Sequence, residues 1–223
     1  MSWNIETYHS RIYRDFLGIS DKNFREQIHF YEKYEEDIKK LGLDEFLELL
    51  YTYANALFQV GSYRKYILVS DSVIELVFQY NIYTFQQHDL LEKTLFQKAA
   101  AHYNLREFSS AAYLLSELLK MKDTNRDALL FFKRCRQQQY PALRAIFRAV
   151  SIFLLLLCAG LIALEILFVR PFYEMYVSLV AHSRNTLFAL GCMSMATEFV
   201  YIRYLAEKDA RLLLSQIRHT RSV

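Results

Sequence analysis

Two rhythms of apolar and polar positions divide this chain. Up to about Gln139, apolar residues return every three or four positions with charges between them, as in YRKYILVSDSVIELVFQY, the spacing that gives a helix one apolar face. From Ala149 the charges all but stop: AVSIFLLLLCAGLIALEILFV reaches Val169, and after a polar gap NTLFALGCMSMATEFVYIRY covers Asn185 to Tyr204. About twenty residues at about 1.5 Å each match a hydrocarbon core of about 30 Å. The pattern therefore predicts an all-α chain in three parts: a helical soluble domain over 1–139, a transmembrane hairpin over 140–204 with spans at about 145–169 and 185–204, and a tail over 205–223.

The breakers place the soluble helices. Gly18 closes a first helix from Ile5 to Leu17, and Ser20 or Asp21 caps a long one from Asn23 to about Lys40, stopped by Leu41–Gly42. A very apolar helix, Leu43 to about Val60, ends at Gly61–Ser62; Tyr63 to about Tyr80 follows, then a looser link, NIYTFQQH. Asp89 to about Asn104 and Glu107 to about Lys120 form a pair, and Thr124 or Asn125 caps a last helix to about Gln139. Only 5 Gly and 2 Pro in 223 residues favour long helices over a sheet protein with many turns.

Helices of this length joined by short turns suggest a repeat. The segment LFQKAAAHYNLREFSSAAYLLSELLKMKDTN resembles a tetratricopeptide repeat: Leu95, Ala99, Phe108 and Ala111 stand where that family places its first-helix Leu, its small packing residue, its turn aromatic and its second-helix Ala. LLYTYANALFQVGSYRKYILVSDSVIEL matches through Leu50, Ala54, Gly61 and Tyr63, while Tyr66 and Ser70 depart from the pattern; GISDKNFREQIHFYEKY, with Phe24, is a weaker echo. The intervals between Phe24, Tyr63 and Phe108 exceed the family period of about 34 residues, so these are degenerate repeats. The resemblance covers roughly Ile5 to Gln139 and implies a helical-hairpin solenoid that holds a protein or peptide partner. Of the aromatic positions, Tyr53, Tyr63 and Tyr103 are candidates for that contact, although each also suits the core of a helical pair. Asn55, Lys65, Asn104 and Arg106 are candidates for the Asn and Lys/Arg grip that some tetratricopeptide domains place on a peptide carboxylate, and each also suits a solvated surface.

Composition narrows the chemistry. No phosphate loop, GxSxG or HExxH is present and the six His are scattered, so neither an enzyme nor a cofactor is expected. Cys135, Cys158 and Cys192 lack metal spacing and read as small buried apolar residues. A net charge of +3 is too small to imply nucleic acid; the position of the basic residues matters more. Lys133, Arg134, Arg136, Arg144 and Arg148 precede the first span, and Arg203, Lys208, Arg211 and Arg218 follow the second, whereas the connecting loop from Arg170 to Asn185 carries only Arg170 and Arg184. The positive-inside rule then puts both termini in the cytosol, and the start, MSWNIETYHSRIYRDF, lacks a signal-peptide pattern. A bacterial inner membrane is favoured over an organelle membrane. The tail carries an apolar stripe, Leu205, Leu212, Leu213 and Ile217, suited to the inner membrane surface or to the repeat domain.

Two acids interrupt the spans. Glu165, near the outer end, is expected beside Arg170 or Arg184. Glu198 lies deeper, where a charge costs at least about 2.5 kcal/mol unless paired or hydrated. Folding the hairpin about Tyr176–Val177 puts it opposite Leu154, with Arg148 or Arg203 in reach by snorkelling. Glu198 then either bonds the hairpin together or lines an ion path in a homo-oligomer, packed through small residues such as Ala159, Gly160 and Ala163. The expected function is a membrane-anchored scaffold for a protein partner; the rival is an oligomeric effector whose hairpins alter permeability.

Overall fold

The computed structural model describes residues 10–81, 84–85 and 88–221. The start of the first predicted helix, Ile5 to His9, lies outside them, as do Ile82, Tyr83, Gln86 and Gln87 of the link. The chain divides into two compact units, Met1–Leu129 and Leu130–Val223.

Helices build the first unit. α1 (Arg11–Leu17) starts where the Ser10 hydroxyl accepts the Tyr13 N–H at 3.1 Å. Two contacts tie it to α4 (Leu43–Gln59): the Ser10 N–H donates to Glu45 and the Tyr13 hydroxyl to Glu48. The helix expected from Asn23 to Lys40 is instead two, α2 (Phe24–Lys33) and α3 (Glu35–Ile38), broken at Tyr34 (φ −110°, ψ 19°). Glu35, Glu36 and Asp37 explain the break, because as the first turn of a new helix three acids face its positive N-terminal end. Asn23, not Ser20 or Asp21, stands at the start of α2, and its side chain reaches Glu26.

α4 buries Leu47, Leu49, Leu50, Tyr53, Ala54, Ala56 and Leu57, and turns into α5 (Tyr63–Tyr80) through Gly61 at φ 82°. α5 ends on Asn81 in the left-handed region, and the link forms a two-residue antiparallel ladder, β1 (Thr84–Phe85) with β2 (His88–Asp89). Asp89 caps α6 (Leu90–Asn104) by accepting the Glu92 N–H at 3.0 Å. α7 (Phe108–Met121) follows, and Asn125 caps α8 (Arg126–Gln138) through the Ala128 N–H. α2 packs on α4, α4 on α5, α5 on α6 and α6 on α7, so these five helices stack in chain order. Ala99 and Ala111 are fully buried where α6 meets α7, and Phe108 sits edge-on to Tyr103 at 5.2 Å between ring centres.

The second unit begins within α8 and is a helical hairpin. α9 (Pro141–Leu164) starts at its proline, where the ring suits a first helical position, and Tyr140 (φ −108°, ψ 54°) forms the joint before it. It runs through a wide π-helical turn, Glu165–Val169, into α10 (Arg170–Phe172). Only Tyr173–Tyr176 connects it to α11 (Val177–Arg221), so the expected loop over 170–185 is largely helical. α11 returns antiparallel: Gly191 lies against Leu154 and Leu155, and the Ser194 hydroxyl reaches the Phe147 carbonyl at 3.4 Å. This pairing is about two turns out of the expected register, since Glu198 meets Arg148 and not Leu154 and the turn closes before Tyr176–Val177. The tail is not a separate element but the end of α11. Of the expected stripe it buries Ile217 alone, with Leu205 and Leu213 half-buried and Leu212 exposed; the other buried positions are Ile202, Ala206 and Ala210. Lys133 pairs with Glu207 at 2.6 Å, while the Tyr140 hydroxyl donates to Asp209 at 3.0 Å.

Among the described residues one helix is long and apolar enough to cross a membrane, Pro141–Phe172, and only 11% of its most apolar stretch is buried.

Candidate functional site

The helix-hairpin register brings opposite charges together at two levels. At the turn end, the π-helical turn sets Glu165 against α11, where it is 2% exposed. Its carboxylate accepts from Arg184 Nη1 at 2.8 Å and from Arg170 Nη2 at 3.1 Å, one oxygen for each arginine. Arg184 also reaches Asn185 Oδ1, and its backbone carbonyl accepts the Cys158 thiol at 3.6 Å. With one guanidinium from each side of the turn, the carboxylate ties the end of the first arm to α11. The π-turn starts at Glu165 itself and ends just before Arg170, so the acid and its first arginine partner bracket the wide turn.

At the other end, Arg148 Nε lies 3.6 Å from Glu198 Oε1. The contact is single and long, with Arg148 68% and Glu198 16% exposed at the side chain. Arg203 does not pair with Glu198; its guanidinium lies 6.0 Å from the centre of the Phe199 ring. Around this pair is a groove of about 320 Å³ lined by Gln137, Arg144, Arg148, Met195, Glu198, Phe199, Ile202 and Arg203. Arg144 is held there by Gln138 Oε1 and the Gln137 carbonyl, each at 2.8 Å. By sequence Arg144 is one of the charges that set topology. Its spacing from Arg148, one helical turn, was the available sign of a shared face.

The partner-binding candidates of the first unit are dispersed. Tyr53 is buried, stacked on Tyr31 at 4.1 Å and donating to Glu32. Lys65 pairs with the same Glu32 at 2.8 Å, and Asn55 accepts from Gln97. Tyr63 packs edge-on against Phe58. These four stabilise the α2, α4, α5 and α6 seams. Tyr103, Asn104 and Arg106 gather at the α6–α7 turn, where Asn104 and Arg106 are exposed and Arg106 adopts φ 63°. No cluster of three or more metal-ligating side chains occurs among the described residues.

No protein-family model, curated protein or solved structure matches this chain. Its geometry alone carries the functional reading.

Proposed function

We propose that this chain is a membrane-anchored adaptor: a tetratricopeptide-like array of helices held at a bilayer by a two-span hairpin, with both termini in the cytosol. A bacterial inner membrane remains the favoured location, and the array's ligand is a protein or peptide. The observation that carries the anchor is the band between the two ionic clamps. Ala149–Leu164 on one arm and Asn185–Thr197 on the other contain no charge, and they span about 24 and about 20 Å, the greater part of a bilayer core of about 30 Å. Large apolar side chains in this band, among them Phe153, Leu156 and Met193, are more than half exposed. In water that surface is unfavourable at about 25 cal/mol per Å². Arg170 and Arg184 at one edge and Arg148 and Arg203 at the other fall where snorkelling cations belong.

One observation favours the rival, an oligomeric effector. Gly160 lies on the open side of α9, where an added Cβ meets nothing within 4 Å, and Ala159 and Ala163 are exposed beside it. Such a face admits a helix of a second copy.

Alkaline extraction of membranes and the particle mass of the full chain in nanodiscs test both readings. A chain that resists extraction, stays monomeric and retains a soluble protein supports the adaptor. Assemblies of four or more copies that release a trapped dye from vesicles favour the effector. Release at high pH removes the anchor from either account.

A further inference from the structure

We propose that the arginine groove beside Glu198 binds one anionic phospholipid through its phosphate. The inference rests on the membrane reading above and adds a ligand to it. Three guanidinium groups and one carboxylate line the groove, leaving a net charge of about +2 at the edge of the uncharged band. Among the described residues neither Arg144 nor Arg203 pairs with a carboxylate, and Arg148 holds Glu198 by a single long contact. Planar guanidinium groups match phosphate oxygens, and basic pockets at the cytosolic edge of membrane helices suit phosphate headgroups. Arg144 is already oriented by Gln137 and Gln138, so little side-chain entropy is lost on binding.

The apolar part of the groove distinguishes a lipid from a free phosphate. Phe199 and Met195 line it, and at helical spacing the same face of α11 continues through Cys192 to Phe188, towards the middle of the band. Phe199, Met195 and Phe188 are 68%, 57% and 54% exposed, so an acyl track leads directly from the arginines. A soluble phosphate uses the arginines and leaves that track open.

The full chain, reconstituted in phosphatidylcholine vesicles with or without phosphatidylglycerol, provides the test. Flotation checks the anchor, and native mass spectrometry after gentle detergent release counts retained lipid. The expected result is one phosphatidylglycerol per chain, with retention about fivefold weaker in Arg203→Gln and weaker again with Arg144→Gln added. Arg134→Gln, an exposed site on α8 outside the groove, leaves retention unchanged. Circular dichroism confirms that each variant keeps its helices. A chain that floats but retains phosphatidylcholine equally, or loses phosphatidylglycerol to millimolar inorganic phosphate, overturns the lipid site and leaves the anchor standing. A chain that fails to float overturns both.

Discussion

At the scale of single residues, two turns in the first unit solve one problem with different side chains. After α4, Gly61 takes φ 82° and the Ser62 N–H closes on the Leu57 carbonyl at 2.9 Å; after α6, Arg106 takes φ 63° and the Glu107 N–H closes on His102 at 2.9 Å. Both are left-handed helix stops, and a side chain there costs about 1 kcal/mol or more. Arg106→Gly should therefore raise stability by about 1 kcal/mol, seen as a higher thermal midpoint of helicity, whereas Gly61→Ala should lower it by a similar amount. Buried tyrosines give a second residue-scale prediction. Burial pushes the Tyr31 hydroxyl from its ordinary 10.0 up to about 12, and it raises Tyr53 and Tyr66 further. Above pH of about 10 the unfolded chain loses phenolic protons that the folded chain keeps, so stability falls as pH rises. Urea midpoints should be flat in these groups below pH about 10 and drop towards pH 12. Tyr31→Phe should make that drop shallower.

At the scale of elements, the helices themselves were legible because they are long, periodic and bounded by Gly or Asn. The divided α2–α3 was less so, since nothing in the spacing distinguishes an acidic helix interior from an acidic first turn. The hairpin shows a similar limit. Glu165 beside Arg170 or Arg184 followed from sequence distance, but the pairing of Glu198 with Arg148 depended on where the turn closes and on the extra residue in the π-turn. Hydropathy contains neither. Glu165 opens the π-turn and is buried with two arginine partners, which makes it the residue whose loss the hairpin should feel most. Glu165→Gln leaves Arg184 facing a neutral amide, at a cost of about 2 kcal/mol, below that of a fully enclosed pair because both arginines keep some solvent. Titrating detergent micelles with dodecyl sulfate should show the hairpin opening earlier in this variant. In the first unit, Ala111→Leu should cost about 1–3 kcal/mol by overpacking a fully buried site; unchanged helicity and midpoint would remove α6–α7 as a close-packed pair.

At the scale of the whole molecule, the band between the clamps makes the strongest demand on the environment. Cys192 is exposed on α11, about 12 Å along the helix from Arg184 and about 9 Å from Glu198. Cys135 and Cys158 are buried and shielded from reagent, and burial also pushes the Cys135 thiol up to about 12. If the band lies in hydrocarbon, a membrane-impermeant maleimide leaves Cys192 unmodified in vesicles and reaches it only after dodecyl sulfate unfolds the chain. In a water-exposed bundle the same thiol reacts within minutes. The turn supplies the complementary position, because Met175 is 81% exposed. With Cys192→Ala in the background, Met175→Cys should react with reagent added to the face opposite the N-terminal unit, and an epitope at the N-terminus should be shielded on that face. Labelling of Met175→Cys from the same side as the N-terminus would mean that α9 and α11 lie along the surface, and that the two arginine clamps mark the flanks of an interfacial helix pair rather than the two edges of a span.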